Sequence, residues 1–180
     1  MDPSYMFGGL SLNLAFSAKI RTSQPTPTPP ERGIPWSVLE GDEYKTARWD
    51  YRPKFALYSP THLLLTSVSW DHADVYPTEE CYFNAFRELV GNIPNDGLIV
   101  ACTDGPNIDK ILSYNLQKTN VITYGKTPNN DYYYHELSQT KDGLRFKIRQ
   151  GQRNDTILSA AHTSLPSSQE GLEYEISTPV

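Results

Sequence analysis

Several features that mark common functional classes are scarce or absent in this 180-residue chain. Two cysteines are too few for a disulfide framework or a four-cysteine zinc site. Sixteen basic residues stand against 21 acidic ones, so a chain of net charge −5 offers no broad basic face to a nucleic acid. No apolar stretch approaches the roughly 20 residues of a membrane helix, and the N-terminus lacks the basic region of a signal peptide. These absences predict a globular, cytoplasmic protein whose partners include neither nucleic acid nor membrane.

Motifs for phosphate and zinc chemistry are missing as well. Neither G-x-x-x-x-G-K-[ST] nor G-x-G-x-x-G occurs in the sequence, and Gly125-Lys126-Thr127 lacks both the upstream glycine and the following helix of a phosphate loop. The four histidines do not form an H-E-x-x-H pair, which makes a zinc hydrolase a weak hypothesis. The 180 residues therefore contain no recognisable cradle for a triphosphate.

The apolar runs predict an α/β fold with a mostly parallel sheet and flanking helices. Short continuous runs, rather than alternating ones, are typical of strands buried on both faces of such a sheet. Thr78 is a suitable N-cap, and apolar residues recur behind it at helical spacing, which predicts a helix over 78–91. A second helix is predicted over 107–116. Strands are predicted near 8–20, 36–39, 55–58, 63–68, 98–102 and 121–124.

The pattern changes after Gly125 towards antiparallel strands. Residues 132–139 and 144–150 flank the turn residues 141–143, which predicts a β-hairpin, and a second hairpin is expected around 167–171. The predicted organisation has three parts. They are an N-terminal segment with a proline-rich loop (1–35), an α/β domain (36–160) and a C-terminal tail or hairpin (161–180).

Two acidic clusters each follow a predicted buried strand. They are EGDE at 40–43 and WDHAD at 70–74. Ligands of open α/β sheets bind outside the carboxyl ends of the strands, and carboxylates there suit Mg²⁺ carrying phosphates. Acidic residues at strand ends also serve as helix caps or solvated turn residues, and spacing alone does not choose between these interpretations. A minor alternative is a Mg²⁺-dependent phosphohydrolase that uses the carboxylates Glu40, Asp42, Asp71 and Asp74.

The segment EGDEYKTARWDYRPKF at 40–55 and the later SVSWDHADVY resemble the central, ATP-binding domain of the Mur ligase family. The resemblance is strongest to the murein-peptide-ligase branch. A G-G-x-x-x-N-x-x-x-S-A pattern from Gly8 to Ala18 extends it, so that it covers roughly 8–125. It implies that ATP phosphorylates a carboxylate of a UDP-N-acetylmuramate substrate, with Mg²⁺ offsetting the charge. An amine of an amino acid or peptide then attacks the acyl phosphate to form an amide, in peptidoglycan synthesis or recycling.

The resemblance also implies roles for individual residues. Glu40 is similar to the family's Mg²⁺-binding glutamate near the γ-phosphate, and His72 is similar to the ligand of a second Mg²⁺. Asp104 lies where the family places nucleotide contacts. Arg52 and Lys54 are candidates to meet anionic groups of the substrate, with a solvated surface as the competing interpretation.

The sequence departs from the family pattern in ways that bear on activity. Phe86 stands where some members carry a carbamylated lysine, which points to the muramate-ligase and murein-peptide-ligase branch. The family's G-T-H-G-K-T-T loop is expected just before Gly8 and is not in the sequence, and neither are the UDP-sugar domain and the domain that brings the amine. Two hypotheses follow: part of an ATP-dependent carbon–nitrogen ligase, or a non-catalytic remnant. Under either hypothesis, these 180 residues alone are expected to be catalytically inactive.

Overall fold

The chain divides into two compact units, Met1–Phe55 and Ala56–Val180. A computed structural model describes residues 3–9, 14–20, 36–114, 119–141, 143–152 and 173–178. Over these ranges no helix has the length and apolar character needed to cross a membrane. The expected domain boundary at 160 and the expected hairpin around 167–171 lie outside the described residues.

The first unit contains two small sheets. Strand β1 (Ser4–Met6) pairs antiparallel with β2 (Ala18–Lys19) and parallel with β3 (Ser37–Leu39). Strands β4 (Lys45–Ala47) and β5 (Asp50–Pro53) form an antiparallel hairpin of their own. The sheets are thus two to three strands wide, and all three residues of β3 are exposed.

Three predictions for this region are wrong. Of the strand expected over 8–20, the described residues 8–9 and 14–20 contain only β2, and Gly8 begins a bend in which its amide donates to the Glu40 carboxylate. The strand expected near 36–39 forms, but it pairs with β1 in the small sheet and not with the larger one. The run at 55–58 belongs to a 3₁₀ turn, Lys54–Leu57, since four apolar residues do not distinguish a strand from a helical turn.

The second unit is built on a six-stranded sheet whose spatial order follows the order of the chain. The strands are β6 (His62–Leu65), β7 (Leu98–Cys102), β8 (Asn120–Gly125), β9 (Tyr132–Thr140), β10 (Gly143–Gln150) and β11 (Glu173–Thr178). Neighbours from β6 to β9 pair in parallel. The pairs β9–β10 and β10–β11 are antiparallel. A mixed α/β fold with a mostly parallel central sheet is therefore confirmed.

The interior strand β7 is buried more deeply than its neighbour β6, which lies at an edge of the sheet. Ile99 and Ala101 of β7 are fully buried. Strand β6 ends at Leu65, earlier than the expected 68, and Leu64 is 64% exposed because β6 is an edge strand of this sheet. The predicted burial on both faces is wrong for β6, since a run of leucines does not reveal whether a further strand lies alongside.

Both predicted helices are present. Helix α1 (Glu79–Gly91) begins after Thr78, whose side chain accepts a hydrogen bond from the Cys81 amide at 3.2 Å. Its buried face includes Phe86 and Val90 at helical spacing, which confirms the expected helix. Helix α2 (Ile108–Leu112) is shorter than the expected 107–116, part of which lies outside the described residues.

The connection between β8 and β9 is held by a buried carboxylate. Asp131 Oδ2 accepts hydrogen bonds from the Thr123 amide at 2.7 Å and from the Thr123 hydroxyl at 2.9 Å. The Asp131 amide donates back to the same hydroxyl at 3.1 Å. Because Tyr132 lies opposite Tyr124, the two strands overlap only at their ends, and a short loop replaces the long crossover that a full parallel pair needs.

We expect the buried side chains of β7, an interior strand of the larger sheet, to contribute more to stability than the exposed ones of β6. Replacing the fully buried Ile99 by alanine leaves a cavity and should lower the free energy of unfolding by about 2–5 kcal/mol. The matched control is Leu64→Ala in the neighbouring strand, which removes an exposed side chain and should cost less than about 1 kcal/mol. Urea unfolding followed by circular dichroism measures both. Equal losses would contradict the difference in burial between Ile99 and Leu64.

Candidate functional site

The loops that follow three adjacent parallel strands meet at one edge of the larger sheet. The Asn107 side chain donates to the Val68 carbonyl at 3.2 Å and joins the loop after β7 to the loop after β6. The Lys126 amide donates to Asp104 Oδ1 at 2.8 Å and joins the loop after β8 to the loop after β7. Ligands of open α/β sheets bind at the carboxyl ends of the strands. This carboxyl edge is the candidate site of the second unit.

Asp104 is the centre of a hydrogen-bond network at this edge. While Oδ1 accepts from the Lys126 amide, Oδ2 accepts from the Tyr134 hydroxyl of β9 at 2.6 Å. That hydrogen bond raises the pKa of Tyr134 to about 12, because the phenol is stabilised in its protonated form beside a carboxylate. Asp104 is exposed, so its carboxylate is both held in place by the fold and accessible to solvent.

Gly125, at the end of β8, leaves room for this network. A Cβ atom there would lie 2.8 Å from Asp104 Oδ1 and 2.9 Å from both the Thr103 hydroxyl and the Asn130 amide nitrogen. Thr103 in turn donates to the side-chain oxygen of Asn130 at 2.7 Å. A glycine is therefore required where three polar side chains approach the backbone.

None of these neighbours of Asp104 is a site residue predicted from the sequence. The available signal was the polar stretch that begins directly after the strand 98–102 and runs from Thr103 to Asn107. Tyr134 also lines an open, apolar cavity of about 460 Å³ beside the network. The other lining residues are Tyr124, Tyr132, Tyr133, Leu137, Leu144, Phe146 and Ile148.

His72 lies in a tight loop after β6, on the same unit as Asp104. Its φ angle of 54° is in the left-handed region, which is uncommon for a residue other than glycine. Its carbonyl accepts hydrogen bonds from the amides of Val75 and Tyr76, at 2.8 and 2.9 Å. Its own amide donates to Asp71 Oδ1 at 2.6 Å. These bonds hold a conformation that would otherwise be costly, and backbone strain of this kind clusters at functional sites.

Glu40 lies in the first unit, directly after β3. Its amide donates to the Met6 carbonyl at 3.0 Å and extends the parallel pairing of β1 and β3. Its Oε2 accepts a hydrogen bond from the Gly8 amide, at the end of β1. A Cβ atom on Gly8 would come within 3.0 Å of that oxygen, so the glycine permits the close approach. The carboxylate is exposed at the carboxyl end of this strand pair.

The two candidate substrate-binding residues are each paired with an acidic neighbour. Arg52 binds Asp50 through two parallel contacts, Nε to Oδ1 at 3.0 Å and Nη2 to Oδ2 at 2.7 Å. Lys54 Nζ lies 2.9 Å from both Asp42 Oδ2 and the Tyr44 hydroxyl. Burial tends to raise the pKa of Asp42, but hydrogen bonds from Tyr44 and Lys54 outweigh it and lower that pKa. Lys54 has a raised pKa because those same two partners stabilise its charge.

The candidate metal-binding side chains suit a Mg²⁺ ion that is held mainly by phosphates better than a Mg²⁺ ion that is enclosed by protein ligands alone. Across the described ranges, no group of three or more His, Cys, Asp or Glu side chains could hold a metal ion. Mg²⁺ keeps several waters and commonly takes only one or two protein ligands together with substrate phosphates. An exposed Glu40 carboxylate meets that requirement, whereas an imidazole such as His72 is an unusual Mg²⁺ ligand. Glu40 follows β3 and His72 follows β6, which belong to different sheets, so the expectation that both lie at the edge of one sheet is wrong. That Glu40 and His72 serve a shared Mg²⁺–phosphate cluster stays a prediction.

A family model described as "Mur ligase middle domain" matches residues 28–167 of this sequence. The chain belongs to the Mur ligase family. This confirms the resemblance found in the segments at 40–55 and 67–76.

Two relatives and one solved structure show how far the similarity to known Mur ligases extends. The chain is 31% identical over 101 residues to a UDP-N-acetylmuramate–L-alanyl-γ-D-glutamyl-meso-2,6-diaminoheptandioate ligase of Haemophilus influenzae, covering 56% of this chain and 20% of that one. It is 33% identical over 132 residues to a UDP-N-acetylmuramate–L-alanine ligase of Renibacterium salmoninarum, covering 71% of this chain and 24% of that one. The crystal structure of the first enzyme's counterpart (MPL) from Neisseria meningitides superimposes with a TM-score of 0.65 at 28% identity, over 84% of this chain and 44% of that one. The chain thus spans about a quarter or less of these two relatives.

We predict that Asp104 controls the ionisation of Tyr134 in this Mur ligase domain. Asp104→Asn removes the carboxylate that raises the pKa of Tyr134 to about 12, and that pKa should fall towards the ordinary 10.0. NMR titration of tyrosine ring carbons, with Tyr134→Phe to assign the signal, measures the shift. Asp109→Asn, an exposed aspartate on α2, is the matched control and should leave the titration unchanged. An unaltered Tyr134 titration in Asp104→Asn would show that the hydrogen bond does not form.

Proposed function

We propose that this domain is the ATP-binding part of a cytoplasmic ligase that joins an amino acid or a peptide to UDP-N-acetylmuramate in peptidoglycan synthesis or recycling. The match of the middle-domain model over 28–167 carries this proposal. The names of two relatives support the substrate class, since both describe ligases of UDP-N-acetylmuramate. One relative is named as a ligase of L-alanine and the other as a ligase of a peptide that contains diaminoheptandioate. The proposal therefore allows either an amino acid or a peptide as the incoming amine.

The chemistry proposed for the site is carried by ATP and Mg²⁺. When bound, ATP supplies the phosphoryl group that activates a carboxylate, and Mg²⁺ offsets the charge on that group. Glu40 would hold a metal ion through its exposed carboxylate, oriented by the Gly8 amide. His72 would meet a second ion from a loop whose backbone is fixed by three hydrogen bonds. Asp104 would contact the nucleotide at the carboxyl edge, where Tyr134 and the Lys126 amide fix its orientation.

Arg52 and Lys54 are proposed to meet anionic groups of the substrate. The side chain of Arg52 is 64% exposed while it binds Asp50, so an anion can reach the guanidinium from solvent. Lys54 is less exposed, at 34%, and its charge is already balanced by Asp42. An anion would therefore have to compete with Asp42 for Lys54, which makes Arg52 the more accessible of the two.

The non-catalytic remnant is the second candidate function. No phosphate loop occurs in the 180 residues, and the backbone amides and lysine of that loop supply most of the grip on β- and γ-phosphates. The flanking genomic sequence distinguishes the candidates, since an in-frame G-T-H-G-K-T-T upstream supports the ligase and a stop codon supports the remnant. The phosphohydrolase alternative gains no support, because Asp42 is engaged by Lys54 and Asp71 by the His72 amide.

We expect Glu40 and His72 each to bind a divalent cation weakly. Mn²⁺ is a paramagnetic substitute for Mg²⁺, so substoichiometric Mn²⁺ with ATP should broaden the amide signals around both residues in a ¹H–¹⁵N spectrum. Glu40→Gln and His72→Gln should each abolish the broadening at their own position, because neither new side chain offers a comparable ligand. Glu43→Gln and His62→Gln are the matched controls. Broadening that persists in both site variants would overturn the assignment of these ligands.

The 180 residues alone should bind Mg·ATP at best with millimolar affinity and form no amide. Each charge-assisted hydrogen bond of a phosphate loop is worth about 1.5–3 kcal/mol, so the lack of several weakens binding by several powers of ten. Calorimetric titration with Mg·ATP measures the affinity, and mass spectrometry detects any amide formed from UDP-N-acetylmuramate and an amine. Micromolar affinity would show that an unrecognised phosphate-binding segment is present.

A further inference from the structure

The last strand of the larger sheet contributes little to the core. None of the six residues of β11 is buried, and only Ile176 is half-buried. Among the described strands, β11 pairs with β10 alone. Its backbone ladder with β10 runs from Leu144 opposite Thr178 to Arg149 opposite Glu173. Burial of apolar area, the usual source of strand stability, therefore accounts for little of its attachment.

The carboxylate of Glu173 on β11 contacts side chains on β10, the neighbouring strand, and on β9, the strand beyond it. Its Oε1 lies 2.6 Å from Arg149 Nε on β10 and 3.0 Å from His135 Nε2 on β9. Its Oε2 lies 3.5 Å from Lys147 Nζ, also on β10. The Glu173 side chain is 26% exposed and its partner Arg149 is 50% exposed, so dissolved salt reaches these ion pairs and screens them. These contacts therefore connect side chains on all three strands of the antiparallel part of the sheet, β9, β10 and β11.

Other charged groups on the same face complete the surroundings of Glu173. Glu136 on β9 accepts from Lys147 at 2.6 Å, and it lies at an irregularity in the β9–β10 pairing with a φ of 52°. Tyr133 on β9 is hydrogen-bonded to Arg149, and this bond contributes most to raising the pKa of that guanidinium. Glu175 is the register partner of Lys147, but it makes no ion pair with any described residue.

We infer that Glu173 is an electrostatic latch, which strengthens the docking of β11 onto β10 through Arg149 and Lys147 and lets the strand open locally when its charge is removed or screened. The backbone ladder to β10 is lost whenever β11 opens, and the ion pairs of Glu173 add to the cost of that opening. Neutralising the carboxylate therefore makes β11 easier to open, while the buried core of the sheet loses no contact.

The direction in which the pKa of Glu173 is shifted determines how the attachment of β11 depends on pH. Burial tends to raise the pKa of Glu173, but Arg149 and Lys147 outweigh it and lower that pKa. A carboxylate with a lowered pKa stabilises the folded form above its unfolded pKa, and the stabilisation is lost as the pH falls through the folded value. The groups that titrate or carry charge around it are Tyr133, His135 and Glu136 on β9, Lys147 and Arg149 on β10, and Glu175 on β11.

Native-state hydrogen exchange of the full chain tests the latch. In Glu173→Gln at pH 7 and low salt, the amides of β11 should exchange about fivefold faster, while those of β7 stay unchanged. Glu175→Gln is the matched control on the same strand and face, and it should leave the exchange of β11 unaltered. The wild-type chain supplies a test without substitution, because 1 M NaCl should accelerate β11 exchange in it but add nothing in Glu173→Gln. Lowering the pH towards 4 should reduce β11 protection, corrected for intrinsic exchange, in the wild type more than in Glu173→Gln.

Three results would overturn the inference. The first is unchanged β11 exchange in Glu173→Gln together with no salt effect on the wild type. The second is equal acceleration by Glu175→Gln, which would indicate a general effect of charge on the strand. The third is equal acceleration of β7 and β11, which would show that β11 opens only when the whole sheet unfolds.

Discussion

The buried carboxylate of Asp131 determines where β9 begins beside β8 in the larger sheet. Its hydrogen bonds to Thr123 start β9 beside the end of β8, so β9 runs on past the carboxyl edge of the parallel strands. Tyr134, three residues later, is thereby brought to Asp104. A buried carboxylate is tolerated here because the hydroxyl and amide of Thr123 both donate to it. The candidate nucleotide edge and the apolar cavity beside it both depend on this local arrangement.

What could be predicted from sequence was mostly local. The N-cap at Thr78 and the apolar spacing behind it specify α1 without help from other elements, and the run at 98–102 specifies a strand. Strand partners were not predictable in the same way. The segment 36–39 pairs with β1 and the leucines of β6 lie at an edge, because pairing depends on which backbone is adjacent and not on the strand's own residues.

In the candidate site, too, some features could be predicted from the sequence and others could not. The family resemblance singled out Glu40, His72, Asp104, Arg52 and Lys54, but their neighbours are distant in sequence. Asn107 reaches Val68 across 39 positions and Tyr134 reaches Asp104 across 30. Contacts of that separation arise from the register of β6, β7 and β8, which no single segment encodes. The positive φ of His72 was equally hidden, since histidine gives no sign in the sequence of a left-handed conformation.

The agreement between spatial order and chain order in the larger sheet has a consequence for how the protein is made. Each strand from β6 to β11 is laid against the strand synthesised just before it. A ribosome that releases the chain from its N-terminal end therefore always presents a new strand to an edge that already exists. Vectorial synthesis can thus assemble this sheet strand by strand, without any strand waiting for a partner that has not yet been translated.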